Sequence, residues 1–400
     1  MSVAPAFGGM ETVPTQRPFR VVMIPSVSGG IGHISRTAAL AGALRRLNPT
    51  VEVEYLLDAE KLRPFNIDAT RRMGFRPRFL PPRTRDNRDA LVRACLDHAD
   101  VVVDDCTRYL LPLRQAVPHT GWVSLAMHPL NDELFMEWPL MVQMDAVIWP
   151  YAPLVELPAE LKALNVEVVQ TGPFLEPNDV PAKAASRVQL RLSEKEPFIL
   201  YAPRGFPFGR EFGHRAFAAI YAAVEALRCS RHAELKLVLL AVSDPAEMNG
   251  IPGVPDKLPE WVVVKGVVTP AEALLFTRAA DAVVGEGTST MHEGAVLRTP
   301  LVLLPGPIAE ATLLAQALAR ERAGMLILPE QTTAAVLTAA FLAALTPSPE
   351  QARMLDRAQV LITGGGGAVS AARIVLDVAS RRRAGRDMLA DLPVAGLQDS

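Results

Sequence analysis

A chain of 400 residues is longer than one hydrophobic core usually organises, so two domains are the first expectation. Half of the residues are apolar and 21% are charged, the balance of a folded globular protein. The net charge of −2 excludes a general nucleic-acid binder. Cys95, Cys106 and Cys229 form no CxxC pair and no disulfide framework, which excludes a disulfide-stapled scaffold and favours a reducing, cytoplasmic setting.

Residues 1–17 are small, polar and proline-containing, and read as a disordered tail. The run 19–24 (FRVVMI) is a buried-type strand. A glycine-rich turn follows at 25–33, then a helix over 34–47 that Asn48-Pro49 stops, then a strand over 51–57. Strand, turn, helix, strand is the opening of a parallel α/β sheet. The pattern repeats with a helix over 88–98, a strand at 100–104 (DVVVD), a short helix at 110–116, and strands at 122–126, 146–149 and 166–170. These make a first domain over 18–172. Prolines, charges and little periodicity over 173–195 read as a linker.

A second α/β series spans 196–367. Its strands are expected at 198–202, 236–241, 262–265, 280–284, 301–304 and 325–328. Its helices are expected at 214–228, 270–279, 309–322, 332–345 and 350–361. Gly364 to Gly367 follows a helix and reads as a flexible joint before a last helix over 368–383, with a tail at 384–400. In such sheets ligands bind at the carboxyl ends of the strands, so two halves facing each other make a cleft.

The stretch Gly285-Glu286-Gly287-Thr288-Ser289-Thr290-Met291-His292-Glu293-Gly294 is the centre of the second series. Its glycines allow a tight turn and close approach of a ligand, and the helix start behind them suits a phosphate. Glu293 lies three residues after Thr290, as in a capping box, so a purely structural cap stands beside a ligand role. Other chemistries find no motif. There is no G-x-x-x-x-G-K-[ST], no H-E-x-x-H, no D-x-D and no G-x-S-x-G, and the seven histidines have no metal-ligand spacing. No apolar run escapes interruption by charges and prolines for long enough to span a bilayer. The run Arg381-Arg382-Arg383 reads as a solvated helix end, with contact to an anionic membrane as the minority alternative.

Several segments in this order resemble the GT-B-fold glycosyltransferases, in particular the peptidoglycan GlcNAc transferase and the macrolide and glycolipid UDP-glycosyltransferases. Gly29-Gly30-Ile31-Gly32-His33 with Arg36 is similar to that family's G-G-x-G-H opening. His128 sits at the histidine of its I-H-E-Q-N segment, and residues 169–173 resemble its T-G-N-P domain end. Residues 287–293 resemble its G-x-x-T-x-x-E donor motif.

The resemblance implies two Rossmann-like domains facing a central cleft. It implies an inverting, metal-independent transfer of a hexose or N-acetylhexosamine from a UDP-type sugar to an acceptor hydroxyl. The nucleotide sugar is a substrate, and no cofactor is called for. The acceptor is a small molecule, a lipid-linked molecule or a glycan. Glu293 would hold the ribose. Gly287, Thr288, Ser289, Thr290 and Arg204 would approach the diphosphate. His33 would be the general base, with Gly30, Gly32 and His128 on the acceptor side. Glu310 stands where the family carries acidic and glutamine residues that reach the sugar, but no glutamine follows before Gln316. That departure keeps two alternatives: a UDP-sugar epimerase or hydrolase of the same fold, and a non-catalytic nucleotide-sugar-binding subunit.

Overall fold

The computed structural model describes residues 17–390 apart from 28–31, 61, 63, 81, 83–86, 107–113, 116, 128–137, 176–179, 194, 204–209, 243–244 and 308. Gly30, His128 and Arg204 therefore lie outside the described residues, as does the expected tail up to residue 16.

Two parallel sheets organise the chain. The first holds β1 (Arg20–Pro25), β2 (Glu52–Asp58), β3 (Pro77–Leu80), β4 (Val101–Asp105), β5 (Gly121–Leu125), β6 (Ala146–Trp149) and β7 (Val168–Gln170), in the order β3-β2-β1-β4-β5-β6-β7. Its helices are α1 (Gly32–Leu47), α2 (Pro64–Arg72), α3 (Arg88–Leu96) and α4 (Ala159–Lys162). The second sheet holds β8 (Phe198–Tyr201), β9 (Lys236–Leu239), β10 (Val262–Val264), β11 (Ala282–Gly285), β12 (Leu301–Leu303) and β13 (Met325–Leu326), in the order β10-β9-β8-β11-β12-β13. Around it lie α5 (Lys183–Gln189), α6 (Arg210–Ser230), α7 (Pro270–Ala279), α8 (Thr288–Val296), α9 (Ala309–Arg320), α10 (Ala334–Leu345) and α11 (Pro349–Thr363). Helix α12 (Gly367–Ala390) ends the described chain.

The inner strands are continuous apolar runs because both faces of a parallel sheet are covered by helices. All five residues of β4 and all four of β8 are buried. Each sheet reverses its strand order once, between β1 and β4 and between β8 and β11. Strand pairing there aligns Pro25 with Asp105 and Tyr201 with Val284. These two reversal points are where an open α/β sheet leaves a crevice at its carboxyl edge.

Several boundaries differ from the sequence expectation. The 173–195 stretch carries α5, which packs on α7. Its Arg187 is buried, donates to the Ala279 carbonyl and pairs with Asp281. A helix of seven residues shows too little periodicity to be seen in sequence. Arg17, expected in the tail, pairs with Asp100 at 3.0 Å. The last helix runs on through residues 384–390, beyond its expected end.

That helix returns to the first domain. Ala371, Ala372, Val375, Val378 and Ala379 are buried in the same core as Met23, Leu40 and Val103. The stretch Pro349–Gly385 is, by length and composition, apolar enough to cross a membrane, contrary to the expectation from sequence. Its apolar residues are used instead in packing: Ala358 and Ile362 of α11 in the second domain, and the α12 residues on the first sheet. Two of the basic run are likewise turned inward, Arg382 pairing with Asp145 and Arg383 reaching Asp100 at 2.7 Å, while Arg381 stays exposed and reaches Glu167 at 3.2 Å.

Where α11 gives way to α12 the chain crosses the end of the first domain. A Cβ on Gly365 would lie 2.2 Å from the backbone nitrogen of Gly172. The glycines at 364–367 thus permit backbone-to-backbone packing and are not the loose joint their composition suggests.

Candidate active-site cleft

The site starts from the two strand-order reversals. In the first domain, α1 begins at Gly32 and carries His33 and Arg36 on one face. Strand β4 ends on Asp105, whose side chain is fully buried and points at both. The His33 Nδ1 lies 3.2 Å from Asp105 Oδ1. The Arg36 Nε donates to Asp105 Oδ2 at 3.2 Å, and a second Arg36 nitrogen donates to Oδ1, a two-pronged grip. Burial by itself would raise the Asp105 carboxyl, but Arg36 and then His33 outweigh it and hold the group well below the usual carboxylate range. Asp105 is therefore a carboxylate and can only accept. With the ring proton on Nδ1, His33 donates to it and the Nε2 lone pair is without a hydrogen bond among the described residues.

Cys106 follows with a left-handed backbone, φ 62°, and its Sγ lies 3.6 Å from Asp105 Oδ1 and 2.8 Å from the Met127 sulfur. His33, Asp105 and Cys106 place three possible ligand atoms within 4.8 Å of one another. The cation of this cluster is nevertheless Arg36, whose guanidinium already stands on the Asp105 oxygen that a metal ion would require.

In the second domain, β11 ends at Gly285 and α8 begins at Thr288. Gly287 occupies the N-cap and no side chain caps the helix. The capping box expected from Thr290 and Glu293 is therefore absent. The helix starts two residues earlier, which puts Thr290 inside the first turn and Glu293 a full turn further on. The N–H groups of the first turn are left for another acceptor. None of Gly285, Gly287 and Gly294 has a positive φ. Two of them are packing positions: a Cβ would meet Met291 at 2.8 Å from Gly285 and Leu301 at 2.3 Å from Gly294. Glu293 is partly buried, and burial pushes its carboxyl up to about 7. Beside it His292 is buried, its Nε2 without a hydrogen bond among the described residues. Burial, with a smaller contribution from Arg36, pushes its imidazole down to about 3, so it is neutral.

The two helix starts meet across the cleft. A Cβ on Gly32 would lie 3.0 Å from the Ser289 hydroxyl. The floor between them is tied by Tyr151, which follows β6 and donates to Glu310 of α9 at 2.5 Å. The Tyr151 ring also lies 6.2 Å from that of His292. Glu310, expected to reach a sugar, is buried in this inter-domain bond. At the second reversal point Tyr201 donates to the buried Glu286 at 2.8 Å, and burial together with that carboxylate keeps its hydroxyl protonated.

The structure thus brings Gly32, His33, Gly287, Thr288, Ser289, Thr290 and Glu293 to one cleft. The sequence reading missed Asp105, Tyr151 and Glu286 and gave Arg36 no role. One signal for Asp105 was available. The run VVVDD puts two carboxylates at the end of a strand too apolar to hold them in its middle, and strand ends face the crevice.

No family model and no curated protein matches this sequence. Solved structures match over most of the chain. The spinosyn forosaminyltransferase SpnP superposes with a TM-score of 0.64 at 14% identity, covering 90% of this chain and 99% of that one. A putative UDP-N-acetylglucosamine 2-epimerase from Listeria monocytogenes gives 0.63 at 16% identity, over 88% and 94%. MurG of Acinetobacter baumannii gives 0.54 at 15% identity, over 90% and 100%. The two facing parallel-sheet domains are those of the GT-B fold. At these identities the likeness defines the architecture, and the chemistry has to be argued from the cleft.

Proposed function

We propose that the protein is an inverting glycosyltransferase that uses a nucleotide-activated sugar, of UDP type, and an acceptor hydroxyl on a small molecule, a lipid-linked molecule or a glycan. The observation that carries this reading is the approach of Gly32 to Ser289, which sets a carboxylate-oriented histidine opposite an uncapped helix start. The diphosphate is received by the first-turn N–H groups of α8, with Thr288, Ser289 and Thr290 beside it, where the helix dipole favours negative charge. Glu293 accepts from the ribose hydroxyls. The acceptor oxygen attacks the anomeric carbon, its proton passes to His33 Nε2, and the bond to the diphosphate breaks with the electron pair leaving on phosphate oxygen. These protein groups supply the base and the charge stabilisation, so the proposed reaction needs no metal. The three free thiols are in keeping with a cytoplasmic setting.

A second reading, a UDP-sugar epimerase or hydrolase, is favoured by the likeness to the Listeria protein. The test incubates the enzyme with UDP-sugars, without and with acceptors, and follows UDP and sugar products. Acceptor-dependent release of UDP supports transfer. Acceptor-independent release, or a new epimer, overturns it in favour of the second reading. Within the transferase reading, His33→Ala lowers turnover about 10²–10⁴-fold with little change in donor affinity. Near-normal turnover of that variant removes His33 as the base.

A further inference from the structure

Arg36 has no part in the reaction just described, yet its guanidinium is engaged at the cleft with Asp105 and His33. It stands one helical turn after His33, its side chain is 18% exposed, and both of its prongs are on Asp105. One of its nitrogens also lies 3.3 Å from His33 Nδ1. Arginine can only donate and an ionised carboxylate can only accept. Two arrangements therefore compete. If Arg36 donates to Nδ1, the imidazole carries its proton on Nε2 and has no lone pair to offer an acceptor hydroxyl. If Arg36 gives its hydrogens to Asp105, Nδ1–H does the same, and the lone pair on Nε2 faces the cleft. The Nδ1 stands 3.2 Å from the ionised Asp105 Oδ1, where a bare nitrogen lone pair would face an oxygen lone pair, and this selects the second arrangement, with Arg36 holding both carboxylate oxygens in place.

We propose that Arg36 is a positioning residue: by gripping both oxygens of Asp105 from the helix turn that carries His33, it holds the carboxylate where it accepts the Nδ1 proton and so presents the Nε2 lone pair. The inference rests on the reading of His33 as the base. A lysine at this place supplies the charge without the fork, so the two functions of the side chain are separable. The other polar groups around the cluster are Cys106 beside Asp105, Tyr55 of β2 with Thr37, Tyr151 with its bond to Glu310, and His292 of α8. Of these, Tyr55, Tyr151 and His292 are neutral near pH 7, because burial opposes their charged forms. Among the described residues, Arg36 is the positive charge in contact with the His33–Asp105 pair.

The test uses the full-length, substrate-free protein labelled with 15N, whose imidazole resonances report the tautomer directly. The His33 signals are assigned by their loss in His33→Gln. The expected result is the Nδ1–H tautomer in the wild type and mainly in Arg36→Lys. In Arg36→Met, where a positive charge is removed, the His33–Asp105 pair takes up its proton at a pH higher by about one to two pH units. The acid limb of turnover then moves by the same amount, while Arg36→Lys keeps the limb in place at reduced turnover. An Nε2–H tautomer in the wild type overturns the proposal, and that measurement stands even where Arg36→Met fails to fold. An Arg36→Met limb that does not move, with turnover lowered equally at every pH, assigns Arg36 a merely structural role and overturns it as well. Absence of transfer in the wild type would fail the proposed reaction, whereas the tautomer measurement decides on Arg36 independently.

Discussion

Replacing Glu293 by glutamine separates a group kept for binding from one kept for stability. Burial raises the Glu293 carboxyl from its ordinary value of 4.5 to about 7. Below pH 4.5 it is protonated in both folded and unfolded chains, and the fold loses nothing. As the pH rises from 4.5 towards 7, the unfolded chain releases a proton that the folded protein retains, so stability falls. Above pH 7 the loss is constant. The interval from 4.5 to about 7, at about 1.4 kcal/mol per pH unit, amounts to about 3.5 kcal/mol. The part-exposed edge of the side chain brings this to about 2 kcal/mol once solvent screening is allowed for. Glu293→Gln removes the titration. It should therefore match the wild type near pH 5 and exceed its stability by about 2 kcal/mol at pH 8, read as urea unfolding midpoints at both pH values. The same variant should bind UDP about ten- to a hundredfold more weakly at pH 8, because a neutral amide replaces a charged acceptor for the ribose hydroxyls. In the wild type, UDP binding should tighten as the pH rises through about 7. A stability difference that is the same at pH 5 and pH 8 refutes the burial argument, and unchanged UDP affinity refutes the ribose role.

Tyr151→Phe removes the donor to the buried Glu310 and should cost about 1–3 kcal/mol. Small-angle scattering should show whether the domains separate, and an unchanged melting temperature would mean that the tie contributes nothing. Gly365→Ala places a Cβ 2.2 Å from the Gly172 nitrogen and should lower stability by about 1–3 kcal/mol or more, whereas Gly385→Ala, with nothing within 4 Å, should be neutral or stabilising. Equal denaturation midpoints for these two variants would contradict the close crossing. Arg383→Met leaves the buried Asp100 with Arg17 and the Arg20 N–H but removes one ion pair and the contact over Phe19. It should speed hydrogen exchange in β1 and β4 first, and unchanged protection there would show that α12 is anchored by its apolar face alone.

Much of this molecule was legible in its sequence because parallel strands are buried on both faces. The runs FRVVMI, DVVVD and AVVG show up as apolar blocks between helical periods, and the order of the blocks implied two α/β halves. His33 and residues 287–293 were found because glycine-rich turns and helix starts are local features. Helix α5 and the inward turn of Arg382 and Arg383 were not legible, because their partners, Asp281, Asp145 and Asp100, lie about a hundred residues or more away along the chain.

Sequence alone determined the local parts: which runs become strands, which stretches are helical, and which turns are rich in glycine. Tertiary structure alone decided what those parts face. The Glu293 carboxyl, open from sequence to a cap or a ribose role, is a partly buried, raised group on a helix that starts at Thr288. Asp105 acquired its partners because strand order places the end of β4 beside the end of β1. Glu310 was diverted to Tyr151, and Gly32 met Ser289, only through the juxtaposition of two domains. Such contacts between residues far apart in the chain leave no periodic trace, since periodicity records which side of an element is buried and not what buries it.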